Sequence, residues 1–413
     1  MISTKTGIFK SIILSLSAVL VLCCNRAQAQ PPDSDRYERV SLCQFMVTYP
    51  HKTYFRELEH EYMSIPLPNR MNDHSLGVNF IKFASDKTSA ENRIDYFIKD
   101  AQIAKRLISR WFNHSKKNRT FSIELLRERG FYNANALDAR LAKSLIRGEN
   151  TLADNGERLI NYTFVVVHDF KPLKNEFASR PKFNKGIKRE KDEIIQLNDS
   201  VEKSRYNRQF HSSERQRKTY PIQCDSYLYR LKWNDEIASA FYSDYYTEII
   251  DPDKIQKFDS DSSSFQLEFI SMISNRIDQR RNRQIKSNEQ LVKTAMARIM
   301  DLNISQLQNI CPDFRVKSTL YIENGNLYSD IGLKEDVKPN DTYEVLERSE
   351  NEDGTLQYTR IGTIRPVADE IWDNRFNAMD SDGYDEKGLL RTRFEKIDGD
   401  DFYTGLILRR MNN

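Results

Sequence analysis

Apolar residues recur at spacings of three and four along Ile94, Phe97, Ile98, Ala101, Ala104, Leu107, Ile108, Trp111 and Phe112. That spacing predicts one long helix burying a single stripe, capped by Ser89 or Asp86. Asn113 to Arg119 breaks the pattern. A short helix is expected over Ser122 to Arg129, stopping at Gly130, and a longer one from about Ala134 to Ile160. Thr163 to His168 is β-branched and almost unbroken in its apolarity, which predicts a strand buried on both faces. Val78 to Phe83 and Val40 to Val47 read as weaker strands. Pro221 to Trp233 alternates as a strand with an aromatic face. Asn234 or Asp235 then caps a helix through Tyr245. Asp251 to Ser264 reads as acidic turns, Phe265 to Ile270 as a strand, and Ser287 to Ile304 or beyond as a long helix striped by Leu291, Val292, Ala295, Ile299 and Leu302.

After Cys311 the grammar changes. Arg315 to Tyr321, Leu327 to Ile331, Thr342 to Leu346, Leu356 to Val367 and Phe402 to Leu408 read as short strands, with hairpin signals at Asn324-Gly325 and Asp353-Gly354. The expected fold class is therefore α+β: a mixed α/β domain over 30–311, then a small SH3-like β-barrel domain over 312–413. Strands 163–168, 222–233 and 265–270 are expected to share one sheet. Within the first domain, 171–218 is polar, with 14 Lys/Arg against 7 Asp/Glu, and reads as a charged surface insertion.

The first 29 residues carry Lys5 and Lys10, a short apolar run from Ser11 to Cys24, and Ala27-Gln28-Ala29. This three-part pattern is that of a cleavable signal peptide, with Gln30 first after cleavage. The expected address is periplasmic or extracellular; Leu22 and Cys23 precede the two candidate lipidated cysteines and fit poorly, so a lipid anchor is disfavoured. No later segment reaches the length of a membrane span. Three cysteines would remain, Cys43, Cys224 and Cys311, either partly paired or as three buried thiols. A formal net charge of +3 on 63 basic and 60 acidic residues gives no argument for nucleic acid.

Little chemistry stands out. The sequence lacks G-x-S-x-G and H-E-x-x-H, and its six histidines show no metal-ligand spacing. His168-Asp169 ends the strongest strand and reads as an ordinary strand terminus. Asp380, Asp382 and Asp385 resemble part of a calcium loop, but the twelfth position is Arg391 where a bidentate Glu is needed. Trp372-Asp373-Asn374-Arg375 combines a large aromatic with a guanidinium outside any periodicity. It is expected either to clamp the barrel to the α/β domain or to line a groove. Tyr227 and Tyr229 are the other speculative binding residues. No cofactor is expected.

Several stretches resemble a family of uncharacterised secreted proteins of Bacteroides-like bacteria: Arg129-Gly130-Phe131-Tyr132-Asn133-Ala134, Leu152 to Glu157, Thr163 to Val167, Asp225 to Glu236, Asp313 to Lys317 and Trp372 to Arg375. That resemblance implies export and no known activity. Ile331-Gly332 through Asp341 to Val345 is similar to the small barrel domains ending some envelope and flagellar-assembly proteins. This implies a structural or assembly role. The leading expectation is a noncatalytic envelope protein with an envelope protein or glycan as partner, possibly homo-oligomeric. The alternatives are a hydrolase acting on polysaccharide or peptide, and a small-ligand or glycan-binding module.

Overall fold

In a computed structural model the described residues are 40–50, 52, 55–68, 71–83, 89–133, 156–173, 218–282, 284–315, 317–350, 356–379 and 384–411. They form an α+β fold: a mixed α/β unit followed by a small, nearly closed β-barrel.

The α/β unit is built on β1 (Val40–Thr48), β2 (Met71–Asp73), β3 (Phe80–Lys82), β4 (Thr163–Pro172), β5 (Thr219–Leu231) and β6 (Leu267–Arg280). Their order is β2-β1-β4-β5-β6, with β3 also beside β1. β1 runs parallel to β4, and β4, β5 and β6 are antiparallel neighbours. The three strands expected to share a sheet therefore do so. β1 is buried along its whole length, which explains its weak alternation: a central strand covered on both faces has no polar side to show. β6 extends ten residues past its expected end. Ile277 to Ser271 pair with β5 across a stretch in which Ser, Asn, Arg and Asp interrupt the apolar positions. That mixture hides an edge strand with about half of its side chains exposed.

The helices are α1 (Phe55–Met63), α2 (Ala90–Asp100), α3 (Ile103–Trp111), α4 (Glu124–Asn133), α5 (Asp235–Asp244), α6 (Pro252–Ser260) and α7 (Asn288–Ile310). The single helix expected over 94–112 is two, because Gln102 takes a left-handed conformation at φ +48° between α2 and α3. Ser89 caps the first. α4 does not stop at Gly130 but runs on to Asn133. The Asp251 turn is in fact the start of α6: Asp251 accepts from Asp253 N and Lys254 N, and Pro252 holds the first helical position. The helix expected from Ala134 lies mostly outside the described residues, as do 174–217 of the insertion; Lys171 and Pro172 belong to β4.

The barrel comprises β7 (Lys317–Thr319), β8 (Tyr321–Glu323), β9 (Asn326–Ser329), β10 (Tyr343–Glu350), β11 (Leu356–Pro366), β12 (Thr392–Gly399) and β13 (Ile407–Arg410), in the order β7-β13-β10-β11-β12-β9-β8. The sheet's two terminal strands are consecutive in the chain and joined through Leu320. Leu320 N donates to Leu406 O and Gly405 N to Leu320 O. The chain over 317–323 thus pairs with β13 at one end and β9 at the other, which curls the sheet round its own core of Leu320, Val345, Ile364, Phe394 and Leu408. Asn324 and Gly325 both have positive φ, as a tight hairpin requires. Among the described helices none is long and apolar enough to cross a membrane.

Candidate functional site

The two units meet on α7. Its N-terminal capping box is Ser287 with Gln290. Leu291, Val292, Ala295, Met296, Ile299 and Met300 bury into the α/β core. A second stripe on the same helix, Thr294, Arg298, Asp301 and Ser305, advances by four, three and four residues and so shares one face. That face meets the barrel. Thr294 Oγ1 accepts from Asn377 Nδ2 at 2.9 Å, Arg298 Nε donates to Phe376 O at 3.1 Å, and Ser305 Oγ donates to Glu335 O at 2.7 Å. Asp301 lies 3.9 Å from Lys334 Nζ.

On the barrel side the contact surface is set by the Trp372–Arg375 segment. Leu333 N donates to Trp372 O, Lys334 N donates to Asn374 Oδ1, and Asn374 Nδ2 donates to Glu335 Oε2. Gly332 is required here, since a Cβ would lie 2.2 Å from Trp372 O. Asn374 is buried, and Asp373 and Arg375 form a two-bond fork at 2.6 and 2.7 Å. The segment shapes the loop 333–335 beside α7, its neighbours Phe376 and Asn377 bond α7, and Arg375 lines the adjoining cleft.

That cleft, of about 600 Å³, opens along the seam. The C-terminal end of β6, the middle of α7 and the barrel loop 333–339 line it. Its walls carry Arg280, Arg281, Arg298, Arg375, Lys334 and Lys338 against Asp278, Asp301 and Asp336, over apolar surface from Ile277, Leu302, Leu333, Val337 and Pro339. Lys334 has Asp301 nearby and Lys338 has Asp336 at 2.9 Å. The Asp373 hydrogen bonds hold Arg375 above its ordinary pKa. Arg280 and Arg298 have no ion-pair partner among the described residues. Burial, then the neighbouring Arg375 guanidinium, pull Arg298 below its ordinary pKa. Nothing in the sequence pattern joins these residues, which run from Ile277 to Arg375.

Two polar networks sit deeper in the α/β unit. His168 and Asp169 are consecutive on β4 and so point to opposite faces. His168 Nδ1 lies 2.8 Å from Ser226 Oγ and its Nε2 3.3 Å from Gln44 Nε2; Asn303 of α7 donates to the same Ser226 oxygen. Asp169 accepts from Tyr49 O–H at 3.2 Å and shares Lys171 with Asp225. Burial pushes the Asp169 carboxyl up to about 6. Burial opposes ionisation of Asp225 too, but hydrogen bonds from Lys171, Ser274 and Gln223 hold it below its ordinary value. His168 and Asp169 thus lie inside β4, which runs on to Pro172, and are buried rather than at the strand terminus expected.

Tyr227 and Tyr229 are buried, and Tyr229 O–H donates to Asp95 of α2 at 2.7 Å. Of the calcium candidates, Asp380 and Asp382 lie outside the described residues. Asp385 spends its carboxylate on the backbone N–H groups of Asp373, Lys387 and Leu389. Among the described residues no group of three or more His, Cys, Asp or Glu could hold a metal ion. Cys43, Cys224 and Cys311 are free and buried, and burial pushes the Cys43 thiol up to about 12, the state of an inert apolar thiol. No protein-family model matches the chain, and no curated protein matches it in sequence.

Proposed function

We propose that this chain is an exported, noncatalytic protein of a bacterial cell envelope that acts by binding, as an assembly or interaction component, and that the seam cleft is its recognition surface. The observation that carries the reading is the cleft's make-up: a cluster of guanidinium groups, of which Arg280 and Arg298 form no ion pair among the described residues, set over apolar surface at a junction of two units. Ligand sites concentrate at such junctions, and Arg is a frequent anchor of contacts. The export half rests on the leader and its Ala27-Gln28-Ala29 ending.

The test has two arms. Expressed with its own leader in a Gram-negative host, the mature chain is expected to begin at Gln30 and to fractionate with the periplasm; retention of Met1 in the cytoplasm would refute export. A photo-crosslinking residue at Lys338, on the cleft, is expected to give a discrete adduct in envelope fractions that disappears in R280E, with none from Arg365 on the barrel's far strand. Equal adducts from both positions would refute the cleft as the recognition surface.

The hydrolase reading has one observation behind it, the raised Asp169 carboxyl grouped with Asp225. It requires turnover of a chromogenic glycoside or peptide that is abolished in D169N.

A further inference from the structure

We infer that the seam cleft is a site for a small organic anion, a molecule with an apolar body carrying a phosphate or carboxylate group. The inference rests on the reading of the cleft as a recognition surface and names the chemistry of what it takes.

Size comes first. At about 600 Å³ the space falls inside the roughly 300–1,000 Å³ typical of small-molecule sites. It suits a compact ligand better than a polymer, and the balanced charge of the whole chain supplies no wider field to hold a polymer.

Charge comes second. The cations Lys334, Lys338 and Arg375 are each matched by an acidic neighbour, at distances of 3.9, 2.9 and 2.6 Å. Arg280 and Arg298 form no ion pair among the described residues. Arg298 is tied by Phe376 O at 3.1 Å and Gln279 Oε1 at 3.3 Å. Its guanidinium is therefore fixed in orientation in a partly buried place, where Asp373 and Asp301 favour its charge without closing an ion pair. A guanidinium held in this way has lost part of its hydration, and a bound anion would add the direct ion pair it lacks. A phosphate or carboxylate fits the planar fork of donors, which an ammonium group would not orient.

The third consideration is the floor. Ile277, Leu302, Leu333 and Pro339 offer surface that bare inorganic phosphate cannot cover, so the ligand's body is apolar. Because β6, α7 and the barrel loop all contribute, an occupant would bridge both units and stabilise their junction by mass action.

The experiment uses the purified full chain and anilinonaphthalene sulfonate, an aromatic body bearing one anionic group. Fluorescence titration at low ionic strength is expected to show saturable binding that inorganic pyrophosphate displaces. R280E and R298Q are each expected to weaken it about tenfold or more, in line with loss of a charge-assisted contact. R365Q, paired with Glu395 away from the cleft, is expected to leave it unchanged. Binding that is equally tight in R280E and the unaltered chain would overturn the inference. So would displacement by neutral octyl glucoside but not by pyrophosphate. Arg280 is exposed, so R280E keeps the fold and decides the matter even where R298Q loosens the seam. Should R280E lose the probe yet keep its envelope adduct, the recognition reading falls and the anion site stands.

Discussion

His74 and His168 are both held neutral by what surrounds them. Arg129 Nη1 approaches His74 Nδ1 at 2.9 Å while His74 Nε2 faces Leu107 O at 3.0 Å. The second nitrogen must therefore carry the proton and the first accept from the guanidinium. Arg129 itself is buried, lies 4.3 Å above the Trp111 ring and donates to Ser41 Oγ. Burial, then the Arg129 charge, holds His74 well below the ordinary range, and burial alone brings His168 down to about 3. An unfolded chain takes up these protons near 6.5 and the folded chain resists them, so acid favours unfolding through this window. Asp169 acts in the opposite sense. Its carboxyl titrates at about 6 when folded against 3.8 ordinarily, so the folded chain loses stability as pH rises from 3.8 through 6. Two histidines against one carboxyl leave a net loss in acid. The melting temperature is expected to fall as pH drops from about 6.5 toward 3. In H168Q the slope is expected to be shallower; a melting temperature independent of pH over that range would contradict the assignment.

At the scale of elements, the break between α2 and α3 offers a direct check. Gln102 at φ +48° occupies a region that costs an L-residue on the order of 1 kcal/mol. Q102G is expected to raise stability by roughly 0.5 kcal/mol once the glycine's extra unfolded freedom is counted, measured by denaturant unfolding; destabilisation would mean the Gln102 side chain holds something in place. This kink also marks the limit of reading elements from periodicity. The stripe from Ile94 to Phe112 stays in phase across the kink, so spacing alone joins two helices into one. The Asp251-Pro252 start of α6 was legible as a cap followed by an N1 proline, but its acidic composition reads first as a turn. β12 escaped notice because Arg393, Glu395 and Lys396 sit among its few apolar residues on an exposed wall of the barrel. By contrast Thr163 to His168, Tyr227 to Leu231 and the Asn324-Gly325 hairpin were plain, since each obeys one strong local rule. The Trp372–Arg375 segment stands out by composition, and it lies next to the residues that bond α7, Phe376 and Asn377. The cleft did not, because its cations come from β6, α7 and a barrel loop that only tertiary structure brings together.

For the whole molecule the question is whether two units behave as one, and α7 makes this testable. Its apolar face is part of the α/β core while Thr294, Arg298 and Ser305 reach the barrel. The seam is thus mostly polar: a few hydrogen bonds and the long Lys334–Asp301 approach, whereas each unit keeps its own apolar cluster. A part-buried hydrogen bond is worth about 1 kcal/mol net, so the coupling amounts to only a few kcal/mol against the larger stability of each core. The unaltered chain is then expected to melt in one transition, with the barrel held to the α/β unit. N377A combined with R298Q removes two seam contacts without touching either core. Calorimetry of that variant is expected to resolve two transitions, one for the barrel and one for the α/β unit. A single transition merely shifted downward would mean that the cores, not the polar stripe, carry the coupling. An anion seated in the cleft would act in the reverse direction, since it adds contacts to both walls at once. In the unaltered chain, anilinonaphthalene sulfonate is therefore expected to sharpen and raise the single transition, and to do so less in R280E.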